Sequence, residues 1–178
     1  MLRFAYADPP YLGMCGKHYG HRHDPPWGCW NDLDTHRALI DSLAAFDGWA
    51  LSSGSSQLQR ILALCPDDVR IGAWCKPFAN FRPGVNPGYT WEPVIFRGAR
   101  RRTDRTEPTV RDYLVESRPH TLGLPGAKPA SFCRWVLDLL GYRDCDEMTD
   151  IFPGTGGLGR AAEQSRLALS SGGSDHAR

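Results

Sequence analysis

The stretch LRFAYADPPY, residues 2–11, decides how the chain is read. Apolar and aromatic side chains run from Leu2 to Ala7, which predicts a buried β-strand ending at Asp8. Two prolines then stop any regular element. Each fixes φ and neither carries an N–H, so Asp8–Tyr11 is a stiff corner at the carboxyl end of the strand. Asp8 brings a carboxylate, Pro9 a carbonyl, Pro10 rigidity, and Tyr11 a flat ring with a polar tip. Two acceptors side by side suit an –NH₂ group, and a neighbouring ring suits stacking of a planar heterocycle. The corner therefore has the chemistry of a receptor for an aromatic amine such as adenine N6.

A second unusual turn lies in EMTDIFPGTGGLGRAAEQ, residues 147–164, which reads as strand, glycine turn and helix. Its glycines fit neither G-x-G-x-x-G nor a phosphate-binding P-loop with Lys-Ser/Thr, so a nucleotide phosphate is not the expected ligand. Between the two turns, GWALSSG (48–54), VRIGAWCKP (69–77) and YTWEPVIFRG (89–98) predict strands; Pro93 suggests that the last is an edge strand or bulged. Helical spacing predicts helices in DTHRALIDSLAAF (34–46), with Asp34 as N-cap, after Ser55 or Ser56, and in PASFCRWVLDLLG (129–141), stopped by Gly141. Residues 98–126 read as loop with at most one short helix near TVRDYL (109–114). Alternating strands and helices give an α/β fold with a mostly parallel sheet, whose ligands bind at the carboxyl ends of the strands. Both turns should open on that edge.

At 178 residues the chain is expected to form a single domain, with a frayed tail over 171–178. A hydrophobic fraction of 41% and a net charge of +1 are those of an ordinary globular protein rather than a uniformly basic nucleic-acid binder. It has no apolar run of roughly eighteen residues and no leader pattern, so the expectation is a cytoplasmic protein with no membrane partner. The six cysteines are scattered without a C-x-x-C pair, and reduced thiols are the default. Cys65, Cys75 and Cys133 lie in apolar patterns and are expected in the core.

The pairing of DPPY with Asp150-x-Phe152-x-Gly154-x-Gly156 resembles the S-adenosylmethionine-dependent amino-methyltransferases of DNA adenine N6 and cytosine N4. GAKPASFCRWVLDLLG (126–141) is similar to that family's Lys-Pro segment and following helix. The catalytic motif comes first and the cofactor motif last, which resembles the permuted β-class order. The resemblance implies a circularly permuted, Rossmann-like methyltransferase fold, short of the usual sheet by one or two strands. It implies S-adenosylmethionine as cofactor, held by Asp150, Phe152, Gly154, Thr155, Gly156, Lys128 and Pro129, and DNA as partner. It also implies that Asp8, Pro9, Pro10 and Tyr11 grip the target amine. The family's acidic ribose ligand would fall near SRLALSSGG (165–173), where no Asp or Glu occurs before Asp175. That gap leaves open a completing residue from elsewhere, including a homodimer. The motifs leave open cytosine N4, RNA or a small-molecule amine as target, and a degenerate fold kept as a binding module.

Three further stretches carry candidate substrate contacts. CGKHYGHRHDPPWGCW (15–30) follows the catalytic corner, and residues 12–31 are expected to form a substrate loop using His18 and His21. Zinc would accept Cys15, His18, His21, His23 and Cys29, and Cys15-x-x-His18 has a usable spacing, but the set matches no recognised finger, so a substrate-contacting loop is expected ahead of a metal site. Lys76, after the third strand, stands among aromatic residues suited to an unstacked base. RGARRRTDR (97–105) offers Arg100, Arg101 and Arg102 to phosphates within a minimal recognition loop, 98–126.

Overall fold

The computed structural model describes residues 1–12, 30–78, 83–98, 100–101, 105, 109–117 and 127–171. Along the chain come β1 (Arg3–Ala7), α1 (Leu33–Leu43), β2 (Gly48–Ser52), a 3₁₀ turn (Ser55–Gln57), α2 (Leu58–Leu62), β3 (Arg70–Cys75) and β4 (Trp91–Arg97). β5 (Tyr113–Val115), α3 (Ala130–Leu140), β6 (Glu147–Asp150) and α4 (Gly157–Ser171) follow. The described strands form one six-stranded sheet in the order β5-β3-β4-β2-β1-β6. β1 runs parallel to β2 and β6, and β3 parallel to β5; β4 alone runs against its neighbours. This is the mixed, mostly parallel α/β architecture expected from the sequence.

Period-two alternation sorts the core into two layers, one on each face of the sheet. Phe4, Tyr6, Val94 and Phe96 pack with α3 and α4 on one side. Ala5, Ala7, Leu51 and Ile95 pack with α1 and α2 on the other. Phe132 of α3 centres the first layer, its ring 5.0 Å from Trp74 and 6.2 Å from Tyr6. Helix α3 stops at Gly141, whose φ of +65° is cheap only for a residue without Cβ.

Several expectations are corrected. Helix α1 is capped by Asp32, whose carboxylate accepts the N–H of Asp34 at 3.1 Å, so Asp34 sits inside the first turn. No serine side chain caps α2; the 3₁₀ turn leads into it instead. Pro93 lies in an internal strand, because its missing N–H costs little there. It pairs with Ala73, whose own N–H turns away to Asp112, and it faces β2 where that ladder is ending, at Ser53. The region 98–126 contains a strand, β5, rather than a short helix. Of the three core cysteines, Cys133 is buried and Cys65 and Cys75 are half-buried. The segment expected to hold a ribose-binding strand begins as a continuation of helix α4, which reaches Ser171.

Candidate active site

β1 and β6 are neighbours with Tyr6 opposite Asp150, so the DPPY corner and the glycine turn leave the sheet side by side. β4 adds to this edge for the opposite reason. Being antiparallel, it begins where its neighbours end, and Glu92 at its start faces Trp74 near the end of β3.

Lys128, just before the N-cap Pro129 of α3, places its Nζ 2.6 Å from Asp8 Oδ2. The same ammonium lies 5.8 Å from the Phe132 ring and 6.0 Å from the Trp74 ring. Tyr11 donates its hydroxyl to Glu92 Oε2 at 3.0 Å and stands 3.5 Å from Asp8 Oδ1. Glu92 Oε1 is ion-paired with Lys76, whose ammonium lies 4.7 Å over Trp74. The two ion pairs are thus joined through the Tyr11 hydroxyl, and Trp74 lies beneath both lysines. Pro9, Pro10 and Leu12 are buried, which fixes the corner from below. Gly54, just past β2, leaves room for both the Gln57 amide and the Tyr11 ring: a Cβ there would clash with Gln57 Oε1 and meet the ring at 3.3 Å.

Burial in this edge shifts several groups. The Tyr11 phenol is pushed well above its ordinary value by burial and by the charges of Asp8 and Glu92. Tyr6, hydrogen-bonded to Ser52 at 2.8 Å, is raised in the same way by burial and Asp8. Asp150 is pushed up to about 6, chiefly by burial, while the Phe152 N–H that it accepts at 3.2 Å and the Lys128 charge work against the shift. Burial also lifts the Cys133 thiol to about 11.

In the glycine turn, Gly154 and Gly156 have φ of +46° and +71°. Gly156 N–H closes the turn on Pro153 O at 2.5 Å, and the Thr155 carbonyl accepts from Arg160 at 2.7 Å. Phe152 sets its ring against Trp30 at 5.3 Å, which ties the turn to the layer of α1. A half-buried carboxylate beside an open glycine turn fits a ligand that carries an ammonium group, such as the methionine part of S-adenosylmethionine. Asp150 and the backbone of Phe152–Gly156 would hold it.

Among the expected substrate contacts, Lys76 reaches this edge. Arg100 and Arg101 lie at the other. Arg100 is tied to Asp146 at 2.5 Å and to the Gly141 carbonyl at 3.1 Å, and Asp146 accepts the Leu2 N–H at the amino end of β1. From Leu2 to Asp8 the strand rise is about 20 Å, so these arginines stand a sheet's width from the corner. His18, His21, Arg102 and the Cys/His stretch lie outside the described residues. Among the described residues no cluster could hold a metal, and no helix is long and apolar enough to cross a membrane.

Glu92, Trp74 and Gly54 were not singled out by the sequence. Only the antiparallel sense of β4 brings Glu92 to the carboxyl edge, and the pattern of WEPVIF does not encode that sense.

No protein-family model matches the chain, and no curated protein does. Solved structures do. A crystal structure of the M1.HpyAVI–SAM complex is similar with a TM-score of 0.56 at 14% identity, over 92% of this chain and 78% of that one. A further crystal structure of M1.HpyAVI gives 0.54 at 12% identity, over 93% and 76%. The chain shares the α/β fold of those structures.

Proposed function

We propose that the chain is an S-adenosylmethionine-dependent methyltransferase that modifies an exocyclic amine, adenine N6 in DNA. The observation that carries this reading is the adjacency of Asp8 and Asp150 at the ends of neighbouring parallel strands. An amine held at Asp8 and a methyl donor held in the Phe152–Gly156 turn would share one edge. The shared fold with M1.HpyAVI, crystallised with SAM, supports the choice of cofactor.

When bound, the cofactor supplies an electrophilic methyl group on a sulfonium. The amine of adenine is a weak nucleophile because its lone pair is delocalised into the ring. The Asp8 carboxylate and Pro9 carbonyl accept its two N–H groups, favour a pyramidal nitrogen and turn the lone pair out of the ring plane. Lys128 holds Asp8 through Oδ2, which leaves Oδ1 as the oxygen beside Tyr11. Asp8 then stabilises the positive charge that develops on nitrogen, and the proton leaves after transfer. The Tyr11 ring stacks on the base, which must leave a duplex to reach it. In this reading the 12–31 loop, with His18 and His21, contacts the substrate.

The test is cofactor affinity by calorimetry, followed by methyl transfer to unmethylated DNA with nucleoside analysis by mass spectrometry. Micromolar binding and N6-methyladenine are expected. N4-methylcytosine would overturn the adenine assignment, and absence of cofactor binding would overturn the enzyme.

A further inference from the structure

We propose that Glu92 is a positioning residue for this reaction: it draws the Tyr11 hydroxyl away from Asp8, so that Asp8 Oδ1 is left for the amine. The proposal rests on the methyltransferase reading above.

Tyr11 has two carboxylates within reach. Its hydroxyl is 3.0 Å from Glu92 Oε2 and 3.5 Å from Asp8 Oδ1. The shorter bond is the stronger one, and a phenol has a single proton to donate. Without Glu92 the acceptor left within reach among the described residues is the Asp8 oxygen that the amine needs. A hydroxyl donated there would compete directly with the substrate N–H.

Glu92 is itself held in place. Its side chain is 13% exposed, its Oε1 is paired with Lys76, and Lys76 rests over the ring of Trp74. That ring is 1% exposed and fixed by its N–H bond to the Glu116 carbonyl at 2.9 Å. Lys76 is further located by its backbone N–H, which donates to Thr90 O at 2.6 Å. The acceptor that claims Tyr11 is therefore built on β3 and β4, independently of the corner it serves.

Lys76 and Glu92 form one nearly buried ion pair, so the test replaces both with neutral side chains, Lys76→Met/Glu92→Leu. Its kcat is expected to fall about tenfold or more, with cofactor affinity unchanged, since one well-made hydrogen bond is worth about that factor. Adding Tyr11→Phe should restore most of the loss, because the competing hydroxyl is gone while the ring remains. A purely structural Glu92 would give no such recovery. Lack of rescue, or a double variant within about twofold of the native kcat, overturns the proposal.

A second measurement needs no substrate. Tyrosinate absorbance, taken as the difference between the chain and its Tyr11→Phe variant, reports the ionisation of Tyr11. In Lys76→Met/Glu92→Leu that ionisation should move to lower pH, because the charge and the hydrogen bond of Glu92 that oppose it have both been removed. An unmoved titration overturns the proposal. If the native chain transfers no methyl group, the proposed function fails, and the titration still decides whether Glu92 holds Tyr11.

Discussion

The ammonium of Lys128 stands 2.6 Å from the carboxylate of Asp8 across 120 residues of sequence. The two halves of the site are joined by this pair, since Asp8 ends the first strand and Lys128 opens the helix before the last. Both side chains are largely buried, at 22% and 11% exposure, so the contact is screened less than a surface pair would be.

Replacing Asp8 by Asn keeps the shape of the corner but removes the charge that a cationic nitrogen would need. Methyl transfer should drop by about a hundredfold or more. Cofactor affinity should stay within about threefold, because the proposed function sets Asp8 against the amine rather than the cofactor. The ion pair with Lys128 would be lost, at a cost of about 1–3 kcal/mol, less than for a fully buried pair. Calorimetry, thermal unfolding and single-turnover transfer separate the three effects.

Asp150 gives a pH signature. Its folded-state value of about 6 lies above the ordinary 3.8, so the fold favours the protonated acid. Its contribution to stability is present at low pH and is lost as pH climbs through about 6. Asp150→Asn removes that loss, so the variant should gain in melting temperature over the native chain above this range. Cofactor affinity should run the other way. An ammonium group prefers the ionised carboxylate, so binding should strengthen as pH rises through about 6 in the native chain and stay flat in the variant.

The glycine turn separates strain from function. Gly156 has φ of +71° and Gly141 has +65°, so the backbone strain of alanine at either should cost about 1–2 kcal/mol of stability. Gly156 lies in the turn beside Asp150, whereas Gly141 ends α3 against Arg100. Gly156→Ala should therefore weaken cofactor binding about tenfold, and Gly141→Ala, whose Cβ would also meet Arg100 Cβ at 2.8 Å, should leave it unchanged despite a larger loss of melting temperature.

What the sequence made legible were the features whose meaning is local. Two prolines after a buried strand, glycines between a strand and a helix, and a glycine after an apolar helix each specify their own backbone. β1, the DPPY corner, the β6 turn and the end of α3 were accordingly readable. β5 was not: Tyr113, Leu114 and Val115 are mostly exposed, too short for a periodicity, and strand only because they pair with β3. The position of Pro93 misled for a related reason. An edge is a property of sheet order, and order is set by long-range packing. Glu92 escaped notice because its reach to Tyr11 depends on the direction of β4, which nothing within WEPVIF records.

Arg100 was a candidate phosphate contact, and its surroundings assign it other work. Its guanidinium is bonded to Asp146, a carboxylate 1% exposed, and to the carbonyl that ends α3. Burial alone would raise the Asp146 acid, but the Leu2 and Arg143 N–H groups and the Arg100 charge outweigh it and hold it below its ordinary value. That stabilisation is present above the ordinary carboxylate range and is lost as pH falls through the lowered one. Arg100→Ala leaves that buried carboxylate its Leu2 and Arg143 N–H donors but removes the guanidinium, and should cost about 1–3 kcal/mol. It should also make the protein unfold at higher pH on acidification. If Arg100 serves only this edge, the salt dependence of DNA binding should not change in the variant, whereas loss of one phosphate contact would lower the slope by about one. Affinity measured across a salt series, beside an acid unfolding curve, distinguishes an anchor of the β1–β6 edge from a hand on the nucleic acid.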